Sequence, residues 1–171
     1  GIDRVGLLLV GIQHLEHPIC GRRAGLNHHG PAAQLRPRLG ELLRTIRGYK
    51  GGPIVRAALQ LAPMLFQRPT ELRAAEWAEF DLDGATWSIP GHKMKMNHDH
   101  IVPLSTQAVA ILLELHNLTG RGRYVFPSER GRSRPMSENT VNGALRRLGF
   151  TKDEMTAHGW RAVARTLLDE E

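Results

Sequence analysis

The chain has 171 residues, of which 41% are hydrophobic and 23% charged, and carries a formal net charge of +6. That length buries a proper core in one domain, and the composition is that of a soluble globular protein. No apolar run approaches the ~20 residues of a membrane span, and the single cysteine, Cys20, excludes an internal disulfide and a cysteine-rich zinc site.

The segment "VGLLLVGI" lacks the basic leader and small-residue cleavage site of a secretion signal, so an intracellular, reducing setting is expected. Residues 1–37 show neither a helical nor a strand period and are expected to be a linker, a disordered arm or a segment foreign to the domain. His14, His17, His28 and His29 fall here without carboxylates or thiolates at ligand spacing, so no metal is expected.

From Arg38 the pattern sharpens. "LGELLRTIRG" reads as a helix stopped by Gly48, and "KGGP" as a turn that places Pro53 in the first turn of the next helix. Val55, Ala58, Leu59, Ala62 and Phe66 then recur at helical spacing, and "TELRAAEW" continues as a short helix after Pro69. Two β-like runs, Thr86 to Ile89 and His100 to Pro103, flank a polar turn and predict a hairpin. Ser105 is a candidate N-cap for a helix that closes on Gly120. In the following helix Val141, Ala144, Leu145 and Leu148 line one side and Gly149 ends it. The expected fold class is mainly α with a small antiparallel β hairpin or sheet (α+β).

Charge is unevenly spread. Between Arg121 and Lys152 there are eight basic side chains (Arg121, Arg123, Arg130, Arg132, Arg134, Arg146, Arg147, Lys152) and two acidic ones, Glu129 and Glu138. Such a stretch is either a solvated face or a contact for a phosphate backbone. On the last helix Trp160, Val163, Ala164, Leu167 and Leu168 form one apolar stripe, while His158, Arg161 and Arg165 project from the opposite half. Taken alone, that basic half also reads as a solvated face.

A second group lies upstream. "QRPTELRAAEW" puts Arg68 at the mouth of a helix with Glu71 three residues on, and the hairpin tip "GHKMKMNHDH" carries Lys93 and Lys95 ahead of "IVPL". With "HGWR" near the C-terminus, these motifs together resemble the catalytic domain of tyrosine recombinases, and in particular the phage- and genomic-island-type integrases of bacteria. The resemblance runs from about Leu39 to Glu171, so residues 38–171 are expected to form that domain.

The resemblance implies a cluster of cations around one DNA phosphodiester. Arg68 and Arg161 would hold the non-bridging oxygens, with guanidinium forks that match their geometry. His158 would hydrogen-bond the same phosphate or move a proton. Lys95 would protonate the leaving 5′ oxygen, with Lys93 as the rival for that role, and Glu71 would orient the arginine region. Lys93, Asn139, Asn142 and Arg165 are further candidates for DNA contact. Neither metal nor other cofactor is implied.

The family's nucleophile is a tyrosine well beyond the histidine–x–x–arginine motif. Here ten residues follow Arg161, and both tyrosines, Tyr49 and Tyr124, lie upstream of it. The resemblance therefore implies a fragment that lacks its nucleophile and is inactive alone. Its expected partner is a double-stranded DNA attachment site, bound as a tetramer by the whole protein and by the fragment as a monomer or weak oligomer. The expected setting is the bacterial cytoplasm, with no membrane contact. Two other readings stand beside this one: a non-catalytic DNA-binding module that retains the phosphate-binding residues, and a metal-free phosphodiesterase with His158 as nucleophile.

Overall fold

In the computed structural model, which describes residues 32–168, the elements follow in the order α1 (Ala32–Arg47), α2 (Pro53–Leu65), α3 (Pro69–Arg73), a 3-10 turn (Trp77–Glu79), β1 (Phe80–Asp81) and β2 (Thr86–Ile89). A second 3-10 turn (Gly91–Lys93) leads to β3 (His100–Pro103), α4 (Thr106–Thr119), β4 (Pro127–Ser128), β5 (Gly131–Pro135), α5 (Thr140–Arg147) and α6 (Gly159–Leu168). The histidines and Cys20 of the N-terminal stretch lie outside the described residues. Where the expected linker can be seen, from Ala32, it is already helical. Leu167 and Leu168 belong to α6, but their side chains are outside the description.

The centre of the fold is α2. Pro53 opens it, and Val55, Ala57, Ala58, Leu59, Leu61, Ala62 and Leu65 are buried around its circumference. A helix apolar on all sides must be enclosed, and α2 packs against α1, α3, α4 and α5. Phe66, expected on the buried face of this helix, lies just past its end in the left-handed region, with φ 52°, and is half-buried. The cause is local. Pro69 clashes with a helical conformation at the residue before it, and Arg68 is extended, with φ −64° and ψ 146°. The chain must leave one helix and start another, which sets Arg68 on the rim between them.

The hairpin forms with the expected boundaries, pairing Trp87 with Val102 and Ile89 with His100. A third strand, β1, was not foreseen because two residues cannot display an alternation; it pairs Phe80 with Trp87. Trp87 is fully buried and stacks on Phe80 at 5.1 Å between ring centroids. The β4–β5 ribbon was also unforeseen, since "PSERGRSRP" carries no apolar alternation; the ladder holds it through Ser128 opposite Gly131. Ser105 caps α4 as expected, its Oγ accepting from the N–H of Ala108 at 3.2 Å. Gly149, with φ 90°, closes the turn after α5. Among the described residues no helix is long and apolar enough to cross a membrane.

Two stretches of backbone within the β2–β3 loop meet at Gly91, where an added Cβ would stand 2.8 Å from the carbonyl oxygen of Asn97. At Gly131 the same Cβ would meet nothing within 4 Å. Gly91→Ala is therefore expected to lower stability in urea unfolding by about 1–3 kcal/mol, through forced displacement of the β2–β3 loop, whereas Gly131→Ala stays within about 0.5 kcal/mol of the parent.

Candidate active site

Arg68 is the N-cap of α3 and Glu71 its third residue. The Glu71 carboxylate accepts from the Arg68 backbone N–H at 2.8 Å and from Nη1 of its guanidinium at 2.7 Å. This caps the helix and aims the arginine with one group. Glu71 is enclosed, its side chain 2% exposed, while that of Arg68 is 33% exposed. Nε and Nη2 of Arg68 have no hydrogen-bond partner among the described residues.

The second arginine arrives from the far end of the chain. Trp160, Val163 and Ala164 are buried and fix α6, so Arg161 stands on the outer face. Its Nη1 donates to the carbonyl oxygen of Phe66 at 3.0 Å, at the turn that leads into Arg68. His158, exposed, lies one turn before Arg161, whose N–H donates to the His158 carbonyl at 3.2 Å. Gln67 and Ala157, the residues preceding Arg68 and His158, line one small hollow together with Leu72 and Val141. The Arg161 to Phe66 hydrogen bond thus sets α6, which follows His158 and carries Arg161, beside the turn that leads into Arg68.

The turn that carries His158 is held from α5. The amide oxygen of Asn142 accepts from the Ala157 N–H at 2.8 Å, and the largely enclosed guanidinium of Arg146 donates to the Met155 carbonyl through Nη2. Glu154 accepts from the Thr151 N–H at 2.7 Å, and Thr156 Oγ1 from the Gly159 N–H at 3.2 Å. Asn142, expected at DNA, is engaged inside the protein. Asn139 and Arg165 are exposed, as an external role requires.

Lys95 is exposed in the β2–β3 loop and has no hydrogen-bond partner among the described residues. Lys93 differs. Its ammonium donates to Glu76 Oε1 at 2.6 Å, to Glu79 Oε1, and to the Ala74 carbonyl at 3.2 Å. Burial opposes its charge, but the hydrogen bonds to Glu76 and Glu79 prevail and raise its pKa above that of an ordinary lysine. A raised pKa makes a poorer proton donor at neutral pH. Glu76 is bound from the other side by Nε and Nη2 of Arg123, at 2.8 and 3.1 Å. The Arg123 hydrogen bonds, opposed by burial and joined by Lys93, hold Glu76 down to about 2.

The basic stretch divides accordingly. Arg123 pairs with Glu76, Arg146 binds the Met155 carbonyl, and Arg147 donates to the Tyr49 hydroxyl at 2.8 Å. Arg121, Arg130, Arg132 and Arg134 are exposed, the last two on β5. No spacing in the sequence distinguishes these two classes, because the partners are distant in the chain.

The sequence profile of the phage integrase family matches residues 40–171. The chain belongs to that family of site-specific recombinases. The integrase of Enterobacteria phage P4 is 40% identical over 146 residues, which are 78% of this chain and 33% of that protein. The IntB protein of Escherichia coli strain K12 is 41% identical over 155 residues, 83% of this chain and 39% of that protein. The chain thus spans between a third and two fifths of these relatives. The fold is that of the XerA recombinase, with a TM-score of 0.61 and 22% identity over 76% of this chain and 48% of that one.

Two outcomes follow for the supports of the site. A carboxyl whose folded pKa lies below its unfolded value stabilises the fold above the unfolded pKa and ceases to do so as pH falls through the folded one. Glu76, lowered from 4.5 to about 2, therefore contributes fully above about pH 5 and loses its contribution between about pH 4.5 and 2. Because Arg123 is exposed, the loss is on the order of 1–2 kcal/mol, and Glu76→Gln removes that part of the acid dependence in denaturant titrations. Asn142→Ala strands the Ala157 N–H and costs about 1–2 kcal/mol, with faster amide exchange at Ala157 and little change in β2–β3.

Proposed function

We propose that this chain is the phosphate-gripping part of a DNA strand-exchange enzyme, which binds duplex DNA and holds one phosphodiester for attack by a tyrosine. The observation that carries the reading is the Arg161 to Phe66 hydrogen bond, which brings the guanidinium of α6 to the turn bearing Arg68. Two planar forks suit the two non-bridging oxygens of one phosphodiester. They also stand ready for the extra negative charge of the pentacoordinate transition state, so that no reorganisation is needed as it develops.

In this reading the tyrosine oxygen bonds to phosphorus, the bond from phosphorus to the 5′ oxygen breaks, and Lys95 gives that oxygen a proton. A 3′-phosphotyrosyl link and a free 5′-hydroxyl result, and the reverse steps rejoin a strand without an external energy source. His158 hydrogen-bonds the phosphate or passes the proton of the tyrosine hydroxyl. Glu71 keeps Arg68 aimed. Neither tyrosine of the chain suits the nucleophile's place. Tyr49 is buried and takes a hydrogen bond from Arg147, and Tyr124 is tied into a β-bridge with Glu76 beneath the Arg123 guanidinium. The attacking tyrosine is assigned to residues outside this sequence.

Around that phosphate, Arg130, Arg132 and Arg134 supply a sequence-independent grip on the neighbouring backbone, and Asn139 and Arg165 lie exposed for further contact. Fluorescence anisotropy with a labelled duplex tests both levels. Wild-type affinity is expected to fall by roughly 10-fold or more between about 50 and 200 mM salt, and the triple change of Arg130, Arg132 and Arg134 to Ala lowers the slope of log K against log salt by about 2–3. Arg68→Ala and Arg161→Ala each weaken binding by roughly 5–20-fold, and lysine at either place restores little because it lacks the fork. Binding unchanged across that salt range contradicts the reading.

A further inference from the structure

Lys93 donates to the full number of acceptors an ammonium accommodates: Glu76, Glu79 and the carbonyl of Ala74. Its side chain is 18% exposed, so no N–H remains for an outside anion. All three acceptors lie on the segment between α3 and β1, the direct continuation of the helix that Arg68 opens. The cup is itself held in place. Arg123 grips Glu76 with two donors, and Glu79 Oε2 accepts from the buried Trp87 indole at 3.0 Å and from the Glu76 N–H at 3.3 Å. The β2–β3 loop is therefore tied at three levels. The strands hold its base, the Gly91 N–H donates to Asp99 Oδ1 at 2.7 Å, and Lys93 ties its middle to the Arg68 side of the molecule. Lys95 lies two residues on, a chain distance of about 7 Å at most.

We propose that Lys93 is a positioning residue, a tether that fixes the β2–β3 loop to the segment following α3 so that Lys95 is presented to the phosphate gripped by Arg68. This rests on the function proposed above and removes Lys93 as rival proton donor. A lysine serving as general acid must bring its ammonium to the leaving oxygen, and that of Lys93 is enclosed by two carboxylates. The division of labour needs two lysines because one ammonium cannot hold the loop and reach the DNA.

The test is acylation of lysine amines in the full chain, read by mass spectrometry with and without a duplex. In free protein Lys93 is expected to react at least ~10-fold more slowly than Lys95, as a buried, charge-paired amine does. Duplex slows Lys95 by several-fold and leaves Lys93 unchanged. In Lys93→Met the protection of Lys95 falls below about 2-fold while duplex affinity stays within about 3-fold of the parent. Lys93→Arg, able to donate to the same carboxylates, restores it. If Lys93→Met does not fold, Lys93→Met combined with Glu79→Gln serves, since it removes the donors while relieving the unpaired carboxylate. DNA protection of Lys93 itself, or undiminished protection of Lys95 in the folded Lys93→Met or double-variant chain, overturns the tether. A wild-type chain that binds no duplex overturns the proposed function and the presentation of Lys95 with it. Slow acylation of Lys93 alone does not rescue either.

Discussion

The site depends on a short break between two helices. Pro69 forbids a helical conformation at Arg68, the preceding helix ends with Phe66 in the left-handed region, and the Phe66 carbonyl, unable to serve an intrahelical bond, is taken by Arg161. One backbone constraint thus produces both the half-exposed N-cap arginine and the docking point for the second. Glu71 completes the arrangement from inside, capping α3 and aiming Arg68 at once. A buried carboxylate with a single purpose would be a costly element of the core; here its charge is compensated by the guanidinium it orients.

The remaining supports follow the same economy of distant contacts. Residues of α5 hold the turn before α6, through Asn142 on the Ala157 N–H and Arg146 on the Met155 carbonyl. The carboxylates after α3 hold the loop after β2 through Lys93. Each proposed catalytic side chain is exposed or half-exposed, while the groups that set its direction are enclosed. Such an arrangement confines uncompensated positive charge to the rim, where water screens it until an anion arrives.

Much of this was legible in the sequence, and the reasons for the rest are physical. The helices announced themselves through apolar spacing and caps such as Ser105, and the β2–β3 hairpin through two β-like runs about a polar turn. Arg68 and Arg161 sit in motifs of short-range geometry, and the Arg161 to Phe66 hydrogen bond sets α6 beside the turn that leads into Arg68. The internal hydrogen bonds of Lys93 and Asn142, both candidates for DNA contact, were not foreseen. Their partners lie 17 and 15 residues away, and nothing in the composition of "KMK" or "TVN" marks an inward side chain. The basic run from Arg121 to Lys152 likewise concealed that Arg123, Arg146 and Arg147 have partners within the protein. Strands β1 and β4 were too short to show a period at all.

The central claim is that two guanidinium groups and a histidine, remote in the chain, share one anion. A crystal structure of the chain grown with sulfate addresses it most directly. The account predicts a single sulfate bridging free donors of Arg68 and Arg161, with His158 within hydrogen-bond distance and Glu71 still bound to Arg68. Separate anions on the two arginines, or Arg68 and Arg161 diverging with none between them, would contradict it.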